Sequence, residues 1–154
     1  TLPMVLVHGW GFDNSLWTQV LSRLPSALSG RIVTVSPWNP PPLPDRFTGA
    51  GHSLGVLWLL RRHSSRLEGL VSLSGGACFA AFPDFPAGTP LAALKAMQRQ
   101  WPVSPGTVLR TFRHMCEAPE PACAVAPEAA TVAGMSAGLK WLQTWDCRET
   151  ARMA

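Results

Sequence analysis

The chain of 154 residues is long enough for one domain with one core, and its composition, 47% apolar and 14% charged, suits a buried, sheet-centred protein and excludes disorder. Its formal charge of +4 comes mostly from scattered arginines without a basic run; that excludes a nucleic-acid stripe and leaves a mild preference for an acidic partner. Four widely spaced cysteines (Cys78, Cys116, Cys123, Cys147) form no C-x-x-C pair, and no leader or long apolar segment is visible. The expectation is therefore reduced thiols, no metal, no cofactor, no membrane association and a cytoplasmic location.

Met4–Val7 is a short, continuously apolar run of the kind buried on both faces of a parallel sheet, and it ends at the turn His8-Gly9-Trp10-Gly11. Asn14 or Ser15 is the expected cap of a helix whose apolar residues recur from Leu16 to Leu28 and which Gly30 stops. Residues 31–35 read as a second buried strand. The proline run between Pro37 and Pro44 forbids both helix and central strand, so it reads as a stiff, extended loop. A weak strand over 46–51, a helix over 54–62 and a buried strand over 67–73 follow, the last closed by Gly75-Gly76. Alternation of this kind predicts an α/β fold with a parallel sheet flanked by helices. From Cys78 onward helices are expected over 90–101, 104–116 and 129–145, with Pro-Ala-rich sequence over 118–130 and no strand. The expected organisation is a core over 1–77, a helical cap over 78–145 and the start of a return to the core over 146–154.

Chemistry concentrates at Gly51-His52-Ser53-Leu54-Gly55, between the weak strand and a strong helix. This is the G-x-S-x-G nucleophile elbow, in which a strained turn lifts a serine hydroxyl clear of the backbone while flanking glycines allow close packing. Ser53 is the expected nucleophile, and the backbone N–H of Leu54, in the first turn of the helix, an expected oxyanion donor. The second expected donor is the backbone N–H of Trp10; His8 reads as a brace for that loop rather than as a base.

The two motifs together resemble the α/β-hydrolase superfamily. Residues 2–17, 51–56 and 67–79, with Gly138-Leu139-Lys140-Trp141-Leu142 and Asp146-Cys147-Arg148 near the end, look like the pimeloyl-[acyl-carrier-protein] methyl ester esterase family of biotin synthesis. The resemblance implies a serine carboxylic-ester hydrolase, monomeric when complete, acting on a methyl ester carried by acyl carrier protein. Ser53 would attack the ester carbonyl. Arg110 and Arg113, on a helix of the cap, would meet the acidic carrier, as would Lys95 and Arg99 on the preceding helix.

Three departures from that pattern stand out. The triad acid and base should follow the cap, yet no histidine occurs after His114, and Asp146 belongs to the segment that closes the cap. The connection over 36–46 is barely long enough for a parallel crossover. The chain enters its first strand at once and stops where a further core strand is expected. The expectation is a partial α/β-hydrolase fold lacking its C-terminal strands, incomplete, inactive and prone to aggregate. Alternatives are a pseudoenzyme or relic that binds an acyl chain, and a thioesterase, lipase-like esterase or perhydrolase of the same fold.

Overall fold

The computed structural model describes residues 2–116 and 129–153. Cys123 and nearly all of the Pro-Ala-rich stretch lie outside the described residues. Four strands, β1 (Met4–Val7), β2 (Ile32–Val35), β3 (Phe47–His52) and β4 (Leu67–Leu73), form one parallel sheet in the order β2-β1-β3-β4. Val7 stands opposite both Val35 and Gly51, so the strands end level, and the loops that follow them gather along one rim.

The alternation of side chains along β1 explains its unbroken apolar sequence. Val5 and Val7 pack with Phe47, Trp58 and Leu59 on one face, while Leu6 packs with Trp17 and Ala50 on the other. On the first of these faces lies helix α3 (Leu54–His63), in which every residue from Leu54 to Leu60 is buried. A helix apolar all round needs cover on all sides. The sheet supplies part of it, and the long helix α6 (Ala129–Thr144) adds Leu139 and Leu142 to the same cluster. Arg61, Arg62 and His63 close α3 at the end where its dipole favours positive charge.

The structure departs from the sequence reading in three respects. The expected helix over 16–28 is broken into a 3-10 turn (Asn14–Trp17), a one-turn α1 (Thr18–Leu21) and a one-turn α2 (Ser26–Ser29). Pro25, which stands just before α2, lacks the N–H a continuous helix would need. The cap is neither Asn14 nor Ser15 but Asp13, whose carboxylate accepts the Ser15 N–H at 2.8 Å. Finally, β4 is not buried. It is an edge of the sheet, and Val71 and Leu73 are 46% and 42% exposed.

The connection from β2 to β3 contains no helix and runs as the extended, proline-rich segment expected. Arg66 anchors it by donating to the Leu43 carbonyl at 2.6 Å. Helices α4 (Leu91–Gln100), α5 (Pro105–Met115) and α6 then follow with no strand between them among the described residues, and α7 (Arg148–Met153) ends the described chain. Cys78, Cys116 and Cys147 are unpaired thiols. No described helix is long and apolar enough to cross a membrane.

Candidate active site

β3 ends at His52 and α3 starts at Leu54, leaving Ser53 alone to reverse the chain. It does so with φ 50° and ψ −116°, a conformation that L-residues rarely adopt. Two backbone hydrogen bonds lock the turn: Ser53 N–H donates to the Leu73 carbonyl at 3.0 Å, and Val56 N–H donates to the Ser53 carbonyl at 3.0 Å.

The flanking glycines are required by contact. A Cβ on Gly55 would lie 2.2 Å from the Val7 carbonyl oxygen, and one on Gly51 would lie 2.5 Å from the Val56 nitrogen. Both neighbours are backbone and cannot swing aside. The helix therefore crosses β1 at a distance that only glycine permits.

The loop after β1 abuts this turn. A Cβ added to Gly9 would come within 2.9 Å of both Ser53 Cβ and the His52 carbonyl. The loop is itself a tight turn: Phe12 N–H donates to the Gly9 carbonyl at 3.3 Å, and Gly11 takes φ 80°. That is the pattern of a type II turn, whose bond makes no use of the Trp10 N–H. Ser53, Leu54 and Trp10 thus come together at the rim. Oγ of Ser53 has no hydrogen-bond partner among the described residues.

The histidines near this rim are held neutral by burial. His8 is buried, its Nδ1 lies 2.9 Å from the Gly9 carbonyl, and desolvation lowers its pKa. This is the bracing position expected of it. His52 packs edge-on against Phe12 at 5.0 Å, its Nδ1 is buried without a hydrogen-bond partner, and burial lowers its pKa as well.

Arg110 and Arg113, both expected to meet the carrier, do not lie on one open face. Arg110 is exposed and reaches Thr107 Oγ1 at 3.2 Å, whereas Arg113 is 8% exposed, with its guanidinium 5.4 Å from the centre of the Phe12 ring. Three residues along a helix turn the side chain by roughly 60° relative to the first. Here that is enough to leave one cation in water and put the other under the loop after β1. Lys95 and Arg99 on α4 are exposed.

Two contributors to the site are absent from the sequence reading. In the sequence Gly75 marks only a strand stop, yet a Cβ there would lie 2.8 Å from the Ser53 carbonyl; with the Leu73 carbonyl it makes the end of β4 a clamp on the serine turn. The side chain of Trp10 is the other. Its Nε1 donates to the Met135 carbonyl of α6 at 2.8 Å, and its ring meets Phe112 of α5 edge-on at 4.9 Å. This fastens the helical segment to the loop beside Ser53. A side chain spent in this way could not be inferred from a motif that specifies only backbone.

A parallel sheet with this serine turn between strand and helix defines a chain of the α/β-hydrolase type. It superposes on the esterase EaEST from Exiguobacterium antarcticum with a TM-score of 0.74 over 100% of this chain and 70% of that one, at 16% identity, a likeness of fold alone. No family model matches the chain. The pimeloyl-[acyl-carrier protein] methyl ester esterase of Legionella pneumophila (strain Paris) is 28% identical over 102 residues, 55% of this chain and 43% of the relative. The enzyme of that name from Aromatoleum aromaticum is 28% identical over 133 residues, 71% of this chain and 53% of the relative. The biotin biosynthesis bifunctional protein BioHC of Cellvibrio japonicus is 30% identical over 103 residues, covering 54% of this chain and 20% of its own length. The chain is thus related to esterases of the α/β-hydrolase type, and it spans about half the length, or less, of the curated relatives it matches.

Proposed function

We propose that Ser53 is the nucleophile of a carboxylic-ester hydrolase. The observation that carries this is the positive φ of Ser53 on a one-residue turn whose Cβ faces the Gly9–Trp10 loop. Oγ attacks the ester carbonyl, and the N–H groups of Trp10 and Leu54 stabilise the tetrahedral oxyanion. The alcohol then leaves, and water releases the acid from the acyl-serine. The substrate is a methyl ester on acyl carrier protein, as the names of the relatives suggest. Exposed Lys95, Arg99 and Arg110 face the acidic carrier, and the helices that bear them form a cap over the core.

Among the described residues no base is hydrogen-bonded to Ser53. His52 is buried without a partner at Nδ1, His8 is spent on its own loop, and Ser53 Oγ has no hydrogen-bond partner among the described residues. Without a base and a carboxylate to orient it, a serine loses several orders of magnitude in rate. The same observation favours a second reading, a non-catalytic chain that holds an acyl group without turning it over.

The test compares this chain with the full reading frame of its gene on p-nitrophenyl butyrate and on a carrier-linked methyl ester. A frame that continues and supplies a base and an acid should hydrolyse both, and Ser53→Ala should abolish turnover; the 154 residues should stay at background. Turnover that survives Ser53→Ala would remove the serine from the reaction, and Ser53-dependent turnover by the 154 residues would end the claim of inactivity. Arg110→Glu should raise KM for the carrier-linked ester alone; an equal loss on the small ester would count against a carrier-facing role.

A further inference from the structure

Away from the serine turn, the helix-free connection between β2 and β3 leaves a cleft of about 550 Å³ against α3 and α6. Three indoles wall it: Trp38 from the connection, Trp58 from α3 and Trp141 from α6. Trp38 and Trp141 lie 6.0 Å apart with their planes 26° from parallel, and Trp141 stacks on Trp145 at 4.7 Å. Ala137 leaves the α6 side of the cleft open. The volume suits a ligand of one or two rings.

Among the described residues the charge of this cleft has one sign: no carboxylate lines it, and Arg62 stands at its rim. The Arg62 guanidinium lies 5.9 Å from the Trp141 ring centre and 5.5 Å from that of Trp145, and it joins none of the salt bridges among the described residues. A guanidinium stacked on indoles keeps its in-plane N–H donors free for a planar anion. His63 lies beside Trp58 at 4.5 Å, where burial and the neighbouring Arg66 and Arg62 disfavour its protonated form. It therefore offers a neutral polar edge next to the cation.

We propose that this cleft is a binding site for an aromatic carboxylate, with the ring packed against the indoles that wall it and the carboxylate on Arg62. Ser53 is not part of its lining. A ligand here would press on Trp38, which also lies against Gly134 and Gly138 of α6 and 5.9 Å from the His8 ring.

Titration of the 154-residue chain with 2-naphthoate and with its neutral analogue 2-naphthamide, followed by the indole N–H resonances and by calorimetry, tests this. Naphthoate should shift Trp38, Trp58 and Trp141 and leave Trp17 in place. Arg62→Gln should weaken naphthoate about five- to tenfold without changing naphthamide. Ala137→Phe should abolish both, and Ser53→Ala neither. Because Arg62 is exposed, its variant keeps the test decisive if the Ala137 variant misfolds. The proposal is overturned if naphthoate and naphthamide bind wild type equally, if octanoate binds as tightly as naphthoate, if Arg62→Gln changes nothing, or if no indole of the cleft shifts.

Discussion

At Ser53, strain and placement are one property. A residue held at φ 50° and ψ −116° stores on the order of 1–3 kcal/mol that the surrounding contacts must offset. Glycine adopts that conformation without penalty. Ser53→Gly should therefore raise the urea midpoint, by about 1 kcal/mol in stability. A midpoint that falls would mean that the turn is relaxed in solution. The neighbouring glycines test the close approach in the opposite direction. Gly55→Ala places a methyl against the Val7 carbonyl, a contact that only backbone movement relieves, and should cost more than about 3 kcal/mol. Gly69→Ala in β4 meets only Thr48, at 3.6 Å, and should be neutral or gain a few tenths from a stiffer unfolded chain. Equal effects at the two positions in urea denaturation would show that the crossing of α3 over β1 is looser than the structure has it.

Among the elements, the connection between the sheet and the later helices runs through one side chain. Trp10 belongs by sequence to the loop after β1, but its ring sits against Phe112 and Trp101 and its N–H is bonded to Met135. Trp10→Ala should cost about 3–5 kcal/mol. Trp10→Phe should keep the ring contacts and lose the hydrogen bond, at about 1 kcal/mol. Near-identical melting of the two variants would show that the hydrogen bond, not the ring, fastens α6. The elements that the sequence reveals are those whose local pattern has one solution. β1 is apolar without interruption because both its faces are covered, α3 is apolar all round because it is enclosed, and the serine turn carries its glycines where backbones touch. The elements misread are decided elsewhere. Pro25 outweighs the helical spacing around it; β4 has a core strand's composition but an edge strand's position; and the burial of Arg113 depends on a loop a hundred residues earlier in the chain. The tryptophans carried no signal as a sequence feature, since it is folding that assembles Trp38, Trp58, Trp141 and Trp145 beside one helix.

For the molecule as a whole, two properties follow from what the fold leaves open and what it encloses. β4 presents an unpaired edge with Val71 and Leu73 exposed, a template for pairing with another chain. Val71→Lys should reduce concentration-dependent association in light scattering and leave the melting temperature nearly unchanged; undiminished association would move the sticky surface elsewhere. The second property is the acid response. Burial lowers the pKa of His8, His52 and His63 in the folded state, and for His63 the nearby Arg66 and Arg62 add to it. Unfolded, each titrates near 6.5. Above about pH 7 both states are neutral at these sites and stability is level. As the pH falls through 6.5 the unfolded chain takes up protons that the folded histidines refuse, so stability drops until the folded pKa values are passed. The carboxylates act in a lower range. Glu68, hydrogen-bonded to Arg46, and Asp146, hydrogen-bonded to Arg148, are held below their ordinary values, so their contributions fade only as acid reaches the carboxylates. The melting temperature should therefore fall in two stages, one between about pH 7 and 5 and another below about pH 4. His63→Phe keeps a ring on Trp58 but cannot titrate, so it should shrink the first stage by the share of His63 and leave the second untouched. A melting temperature level from pH 7.5 to 5 would show that these histidines are as open to water in the fold as in the unfolded chain; a first stage unchanged in the variant would show this of His63 alone.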